Sequence, residues 1–163
     1  MSTRSDRSRE DAQKLAEQIG AVVAERGITV AVAESLTSGA IASRLGAASG
    51  ASSWFAGGVV AYASEVKFKL LEVEPGPVVT ARCAAQMAGG AARLLGADFA
   101  VAVTGVGGPE PDEGHPAGTV FVAVSSGARE EVTKHQFDGE PSEVVELSTC
   151  AALEMLYKAL LTT

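Results

Sequence analysis

The stretch ITVAVAESLTSGAIASRL, residues 28–45, joins an apolar run to a hydroxyl-rich corner and then to a helical pattern. The run ITVAVAE is short and almost continuously apolar, which predicts a strand buried in a sheet. The segment SGAIASRLGAAS that follows it predicts a helix. Ser35, Thr37 and Ser38 lie at the corner, where a hydroxyl can cap the helix or serve as a nucleophile. The stretch therefore predicts an α/β unit and leaves both roles of the hydroxyl groups open.

Helices and buried strands alternate along the rest of the chain. An amphipathic helix is expected over residues 10–26, because apolar residues recur at helical spacing and Gly27 can end it. The later segments are predicted, in chain order, as a strand (SWFAGGVVAY), a helix (SEVKFKLLEV), a loop (PGP, 75–77), a helix (80–95), a strand (ADFAVAVTG), a glycine-rich loop (VGGPEPDEGHPAG), two paired strands (GTVFVAVSS and EEVTKHQF) and a terminal helix (142–161). This order predicts the α/β class: a single-domain three-layer αβα sandwich with a mixed, mostly parallel sheet. We expect residues 1–8 to form a disordered N-terminal tail and residues 9–163 to form the single domain.

Composition narrows the class of protein. The chain has 163 residues, the size of one domain, and 47% of them are hydrophobic. Its net charge of −7 disfavours nucleic acid and anionic membranes as partners, because both bind clustered Lys and Arg. The N-terminus lacks the apolar segment of a signal peptide and the apolar runs are too short to span a bilayer, so a cytoplasmic location is expected. Cys83 and Cys150 are predicted to be free, buried thiols without metal-binding spacing.

Motifs of several common enzyme classes are incomplete in this sequence. TGVGGP follows a strand, but Glu110 replaces the last glycine of the dinucleotide fingerprint, and no G-K-S/T sequence follows a glycine loop. The two histidines are His115 and His135, and neither lies at a strand-to-helix corner, which disfavours a Ser-His-Asp triad. The neighbouring Asp112 and Glu113 are predicted to lie on a solvated face of the loop.

Serine and lysine remain as candidates for catalysis. A lysine becomes a base when burial lowers its pKa, and it can then take the proton of a serine hydroxyl. Ser64 and Lys67 in SEVK have the S-x-x-K spacing of penicillin-recognising enzymes, although Ser64 is at least as well placed to cap the helix that follows. The alternative is Ser35 as the nucleophile, with Lys67 as the base and Tyr62 beside it.

The candidate residues follow buried strands, and ligands of α/β sheets bind where strands end. Ser35 and the pair Thr104–Gly105 lie where buried strands end, and Tyr62 and Lys67 lie at the next such corner. Backbone N–H groups at the start of a helix can hold an oxyanion. In this sequence those groups belong to Thr37, Ser38 and Gly39.

Three ordered blocks, AESLTSG, FAGGVVAYASEVK and VAVTGVGGPEPDEGHPAGTVFVAV, resemble the C-terminal domain of the competence/damage-inducible protein CinA. The resemblance covers nearly the whole chain, from the first predicted helix to the last. The same domain occurs alone as a bacterial nicotinamide-nucleotide amidohydrolase. The resemblance therefore implies an enzyme that deamidates nicotinamide mononucleotide to nicotinate mononucleotide and ammonia, with no metal or cofactor.

The resemblance also implies roles for particular residues. Ser35 would be the nucleophile, with Tyr62 and Lys67 as its partners, whereas Ser64 is not a position that the family pattern fixes as serine. A small-molecule nucleotide substrate and assembly into a homo-oligomer are expected. The glycine-rich loop would line the nucleotide pocket, where glycine allows close approach of the backbone. The expected substrate-binding residues are Thr37, Ser38, Gly39, Thr104, Gly105, Gly107 and Gly108.

Two segments depart from the family pattern. Near the start of the last helix the family usually has Gly-Asp-Arg followed by another basic residue. Here Gly139 and Glu140 precede Pro141, and Val145 lies where the second arginine would fall. The usual Val-Ser-Glu at the start of an earlier helix is Val-Thr-Ala at 79–81. These departures keep two alternatives open: an amidase or esterase acting on another small amide, and a catalytically silent nucleotide-binding or interaction domain.

Overall fold

A computed structural model describes residues 1–163, apart from the side chain of Ser5. Helices and strands alternate through most of the chain. The helices are α1 (Arg4–Arg26), α2 (Ala40–Gly46), α3 (Ser64–Leu70), α4 (Ala81–Leu95) and α5 (Pro141–Leu161), with a 3-10 turn at Ala51–Ser53. The strands are β1 (Val30–Glu34), β2 (Phe55–Val60), β3 (Phe99–Gly105), β4 (Thr119–Ser125) and β5 (Glu130–Gln136).

The strands form one open sheet in the order β2-β1-β3-β4-β5. β1 lies parallel to both β2 and β3, whereas β4 is antiparallel to β3 and β5 is antiparallel to β4. Strands β1, β2, β3 and β5 therefore run in one direction and β4 runs in the other. The predicted mixed sheet is confirmed, and its parallel half contains the strand ends that the sequence placed next to the candidate residues.

Alternate side chains of the central strands enter two separate hydrophobic cores. On β1, Val30 and Val32 pack in the core that contains α1, α2 and α5, whereas Ala31 and Ala33 pack in the core that contains α4. β3 repeats the alternation of valine and alanine. Because helices cover both faces of the sheet, these strands are buried along almost their whole length. The predicted three-layer αβα sandwich is confirmed.

Small residues bring α4 close to the segment that follows α3. A Cβ atom at Gly90, inside α4, would overlap the carbonyl oxygen of Leu71. Leu71 is itself fully buried, and its N–H donates to the carbonyl oxygen of Lys67 at 3.2 Å. The contact at Gly90 therefore helps to set the position of α3, which carries a candidate catalytic lysine.

The N-terminal helix begins earlier than the sequence predicted. A disordered tail was expected over residues 1–8, but α1 starts at Arg4. Thr3 and Asp6 form a capping box there: the Asp6 N–H donates to Thr3 Oγ1 at 3.0 Å, and the Thr3 N–H donates to Asp6 Oδ2 at 3.0 Å. This reciprocal cap satisfies two backbone donors and starts the helix before its first core residue, Ala12. In the described part of the chain, no helix combines the length and the apolar character needed to cross a membrane.

Candidate active site

A pocket of about 360 Å³ lies where β1, β2 and β3 end. Parallel strands deliver their following residues to the same edge of a sheet, which is why ligands of α/β domains bind there. Residues 78–79 and the loop after β3 complete the pocket wall. Seven residues predicted from the sequence line the pocket: Ser35, Tyr62, Lys67, Thr104, Gly105, Gly107 and Gly108.

Ser35 is the first residue after β1 and is only 8% exposed. Its carbonyl oxygen accepts a hydrogen bond from the Ser38 N–H at 3.1 Å, which closes a tight turn between the strand and α2. Ser38 has a φ of 51°, a left-handed conformation that lets the chain reverse within this turn. The turn holds the Ser35 side chain at the pocket rather than in either core.

Three predicted substrate-binding residues, Thr37, Ser38 and Gly39, lie outside the pocket lining. The Ser38 N–H is already bonded to Ser35, and α2 begins only at Ala40. Of the three N–H groups expected to form an oxyanion site, that of Ser38 is therefore already used, and all three precede α2 instead of belonging to its first turn. Thr37 is buried, and its hydroxyl donates to Glu34 Oε1 at 2.6 Å, which is a structural contact.

Glu34, which sequence reasoning missed, explains this difference. Its fully buried carboxylate accepts hydrogen bonds from the Ile41 N–H at 2.9 Å and the Ala42 N–H at 3.0 Å, besides the Thr37 hydroxyl. A negative charge at a helix N-terminus is stabilised by the exposed N–H groups and the helix dipole. The anion position at the start of α2 is therefore occupied by the protein's own carboxylate. The available signal was an acidic residue at the end of a continuously apolar strand, with threonine three residues later.

Ser64 lines the same pocket and is the first residue of α3. The sequence left it as either a nucleophile or a helix cap. The N-cap position belongs to Ala63, and no side chain caps the helix there. The capping interpretation of Ser64 is therefore wrong, and both candidate nucleophiles, Ser35 and Ser64, face one pocket.

Lys67 is only 2% exposed, although it is a lysine. Its Nζ donates a hydrogen bond to the Tyr62 carbonyl oxygen at 3.0 Å. Burial lowers the pKa of Lys67, and the nearby Cys83 and Glu113 groups oppose that change in part. Burial also raises the pKa of the Cys83 thiol to about 11, so this thiol is neutral at ordinary pH. A neutral amine at a pocket wall can accept a proton, as a general base requires.

Tyr62 contacts Lys67 through its main chain. Its side chain is 67% exposed and lines the pocket. Among the described side chains, no hydrogen bond joins the Tyr62 hydroxyl to Ser35 or Lys67. The structure therefore places Tyr62 in the site, but it shows no relay through the phenol.

The wall formed by the end of β3 is held by main-chain and side-chain contacts. Thr104 Oγ1 donates to the Val78 carbonyl oxygen at 2.8 Å, so this hydroxyl fastens the wall. A Cβ atom at Gly105 would overlap the Thr119 carbonyl oxygen, which explains the glycine at the point where β3 and β4 meet. Gly107 and Gly108 have no side chains, so their backbone lines the pocket.

The acidic loop after β3 is not simply a solvated surface. Glu110 and Asp112 line the pocket. The Glu113 carboxylate accepts hydrogen bonds from the Val78 and Val79 N–H groups, both at 2.9 Å. Asp112 and Glu113 are both exposed, as predicted, but one carboxylate also lines the pocket and the other also accepts hydrogen bonds from main-chain donors.

Two further features concern ligands. Pro141 is the first residue of α5, and Glu140 and Glu143 form a capping box around it, so a local helix cap occupies the segment where the resemblance led us to expect arginines. Neither Pro141 nor Val145 lines the pocket.

Among the described side chains, no three His, Cys, Asp or Glu groups are arranged to hold a metal ion. Cys83 and Cys150 are free thiols, the first buried and the second half-buried.

The fold and this pocket define an open α/β domain that presents serine and lysine side chains where its parallel strands end. The chain belongs to the family described as the CinA C-terminal domain, whose model matches residues 12–160. The match covers every helix and strand of the sandwich, in part or in full.

Relatives and solved structures agree with this assignment. A CinA-like protein of Geobacter sulfurreducens is 40% identical over 145 residues, which cover 85% of this chain and 35% of that relative. The chain thus spans about a third of the length of this curated relative. A competence-damaged protein (CinA) superfamily protein from Klebsiella pneumoniae has a TM-score of 0.89 at 30% identity, covering 93% of this chain and 99% of that one. The competence/damage inducible protein CihA from Agrobacterium tumefaciens has a TM-score of 0.86 at 33% identity, covering 92% and 95%.

Proposed function

We propose that the chain is an amidohydrolase that converts nicotinamide mononucleotide to nicotinate mononucleotide and ammonia, with Ser35 as the nucleophile and Lys67 as the base. Membership of the CinA C-terminal domain family supports the class of protein. The observation that carries the chemistry is the buried amine of Lys67 in the same pocket as Ser35. An amine with a lowered pKa can take a serine proton, which an ordinary, charged lysine cannot.

The proposed reaction has two halves. Ser35 Oγ attacks the carboxamide carbon while its proton passes to Lys67 Nζ, and the carbonyl oxygen becomes an oxyanion. Lys67 then returns a proton to the leaving nitrogen, and ammonia departs to leave an ester on Ser35. Water attacks that ester while Lys67 accepts its proton, Lys67 then returns the proton to the departing Ser35 Oγ, and the acid product ionises and leaves. Tyr62 would contact the substrate or the lysine from the open side of the pocket.

The oxyanion needs N–H donors that are not already used. The Ser38 N–H already donates to the Ser35 carbonyl oxygen, and the Glu34 carboxylate already accepts hydrogen bonds from the N–H groups at the start of α2. Gly107 and Gly108 line the pocket through their backbone alone, so we assign the oxyanion donors to these residues. Thr104 and Gly105 would support this segment and contact the substrate.

Release of ammonia from nicotinamide mononucleotide tests the proposal. We expect release by the wild type and a loss on the order of a thousandfold or more in Ser35→Ala and Lys67→Ala. Ser64→Ala is the matched control, because its hydroxyl lines the same pocket, and it should keep most of the activity. Activity that survives in Ser35→Ala but disappears in Ser64→Ala would instead assign the nucleophile to Ser64.

A second candidate is an amidase for a related substrate without a phosphate group. Glu110 and Asp112 line the pocket, and two carboxylates near a phosphate would repel it. The test compares nicotinamide mononucleotide with the corresponding nucleoside, which has the same carboxamide and ribose. A higher kcat/KM for the nucleoside would favour this candidate. No ammonia from either compound would favour the remaining alternative, a silent binding or interaction domain.

A further inference from the structure

Glu113 joins two segments next to the pocket, its own acidic loop and residues 78–79 of the pocket wall. Its carboxylate accepts the Val78 N–H at 2.9 and 3.0 Å, one oxygen each, and the Val79 N–H at 2.9 Å. A tight turn presents this side chain: the Asp112 N–H donates to the His115 carbonyl oxygen at 3.0 Å, and the His115 N–H donates back to Asp112 at 2.8 Å. Glu113 itself has a φ of 49°, which residues other than glycine seldom adopt. The turn therefore directs a long carboxylate at two main-chain donors.

The contact reaches the site through Val78. Its N–H is held by Glu113, and its carbonyl oxygen accepts the Thr104 hydroxyl at 2.8 Å. One peptide segment is thus fastened on both sides, by the acidic loop and by the end of β3. Val78, Val79 and Thr104 all line the pocket. Loss of the Glu113 carboxylate would release this wall without removing any side chain that lines the pocket.

The same carboxylate also acts on the proposed base. The charged and titratable groups around Lys67 come from three directions: Cys83 from α4, Glu113 from the acidic loop, and the pocket-lining Tyr62, Glu110 and Asp112. Burial lowers the pKa of Lys67, while the negative charge of Glu113 raises it. Cys83 is held neutral by its own burial at ordinary pH, so Glu113 supplies the negative charge that acts on the amine.

We propose that Glu113 is a positioning residue for the amide hydrolysis, which holds the 78–79 segment in the pocket wall and keeps a negative charge near the Lys67 amine. This inference rests on the proposed function of Ser35 and Lys67. Glu113 contacts neither the substrate nor the reacting atoms in this account. Glu113 would affect the reaction in two ways: by holding the pocket wall in position and by raising the proton affinity of Lys67.

The test measures kcat/KM against pH for the wild type, Glu113→Gln and Glu113→Asp. In Glu113→Gln we expect kcat/KM to fall about tenfold at neutral pH, because an amide NH₂ cannot accept from a backbone N–H. The acid limb of the profile should move to lower pH by about half a unit, because loss of a partly screened negative charge lowers the Lys67 pKa further. Glu113→Asp keeps the charge but shortens the reach, so its acid limb should remain near that of the wild type while KM rises.

Glu17→Gln is the matched control, because both Glu17 oxygens accept the Ser49 N–H, at 3.1 and 3.2 Å, away from the pocket. It should leave both kcat/KM and the acid limb unchanged. An NMR titration of the lysine amines, with Lys67→Ala to assign the Lys67 signal, gives a readout independent of activity. A wild type without amidase activity would refute the proposed function, yet a lower Lys67 pKa in Glu113→Gln would still support the charge effect. An unchanged kcat/KM in Glu113→Gln, together with an unchanged acid limb and an unchanged Lys67 titration, would overturn the inference.

Discussion

Lys67 shows how one residue links stability to the proposed chemistry. The side chain is 2% exposed, and its amine donates one hydrogen bond, to the Tyr62 carbonyl oxygen. An amine with three donors is poorly satisfied there, which is why its charged form is disfavoured. A lowered pKa makes the amine a more available base for catalysis, but burial of an ionisable group costs stability.

Replacement of this lysine should therefore stabilise the fold and abolish activity. We expect Lys67→Met to raise the free energy of unfolding by about 1 kcal/mol at neutral pH, because methionine fills similar space without an ionisable group. The pKa of Lys67 is lowered from 10.5 in the folded state, so the unfolded chain binds more protons only between the folded pKa and 10.5. The destabilisation by lysine is thus fully present below the folded pKa and disappears as the pH approaches 10.5.

Urea unfolding at several pH values measures this effect. The stability difference between Lys67→Met and the wild type should shrink as the pH rises. A lysine variant at an exposed position, Lys69→Met, is the control and should show no such pH dependence, since the Lys69 side chain is 80% exposed. A gain that stays constant up to pH 10 would contradict the account of a buried, ionisable amine.

The positions of Ser35 and Lys67 could be predicted, but the way in which the chain holds them could not. Strand-end residues meet at one edge of a parallel sheet whatever their side chains, so the buried strands alone indicated the pocket. Glu34 was missed because its partners, the N–H groups of Ile41 and Ala42, become available only once α2 is folded over the strand. Glu113 was missed for the same reason, because its partners lie 34 and 35 residues away in sequence.

At the scale of elements, the turn from β1 into α2 depends on one buried carboxylate. Glu34→Gln should lower the free energy of unfolding by about 2–3 kcal/mol, because the Ala42 N–H then faces an amide donor in a buried place. Thr37→Val removes only one of the three hydrogen bonds to Glu34 and should cost about 1 kcal/mol. Chemical unfolding measures both values. Equal losses in the two variants would contradict a central role for the carboxylate.

Helix α4 makes a second element-scale prediction. Gly90→Ala should destabilise the protein by more than about 2 kcal/mol, because the added methyl group meets the Leu71 backbone, which cannot move like a flexible side chain. Gly89→Ala is the matched control in the same helix. Its methyl group would meet the ends of two flexible side chains, Arg93 at 3.3 Å and Glu130 at 3.9 Å, so the better helix propensity of alanine should make this change neutral or stabilising. Thermal unfolding of the two variants distinguishes these outcomes, and a stabilised Gly90→Ala would contradict the close packing.

The helices and strands were predicted well because their hydrophobic residues recur at clear helical or strand spacing. Their boundaries were predicted less well, because capping contacts determine where a helix begins and ends. The alternation of Val30, Ala31, Val32 and Ala33 shows a strand buried on two faces, which the sequence displays directly. The start of α1 depends on the reciprocal cap of Thr3 and Asp6. The polar, charged N-terminus led to a prediction of disorder there instead of a capped helix.

At the scale of the whole molecule, the two edges of the sheet differ in chemistry. The outer strand β5 carries Glu130, Glu131 and Lys134, and charges on an edge discourage pairing with another sheet. The other outer strand, β2, reads FAGGVV and has no charged residue. Val60 at its end is 49% exposed, and Leu70 of α3 is 44% exposed. We therefore propose that copies of the chain associate through the β2 edge to form the expected homo-oligomer.

Light scattering after size-exclusion chromatography tests this expectation. The wild type should have at least twice the mass of one chain, and Val60→Lys should shift it to the monomer, because a charge at the edge would be buried without a partner. Leu161→Glu is the control, since Leu161 is 57% exposed on α5, far along the chain from that edge. A wild type that is monomeric at high concentration would contradict the proposed edge pairing.

The central claim is that Ser35 carries the acyl group during amide hydrolysis, and trapping that intermediate tests it most directly. Wild-type protein mixed with nicotinamide mononucleotide is quenched in acid within the first turnovers, digested and analysed by mass spectrometry. The account predicts an added mass equal to the substrate less ammonia on the peptide that contains Ser35, and no such adduct in Ser35→Ala. An adduct on the peptide that contains Ser64, or ammonia release that is unchanged in Ser35→Ala, would contradict it.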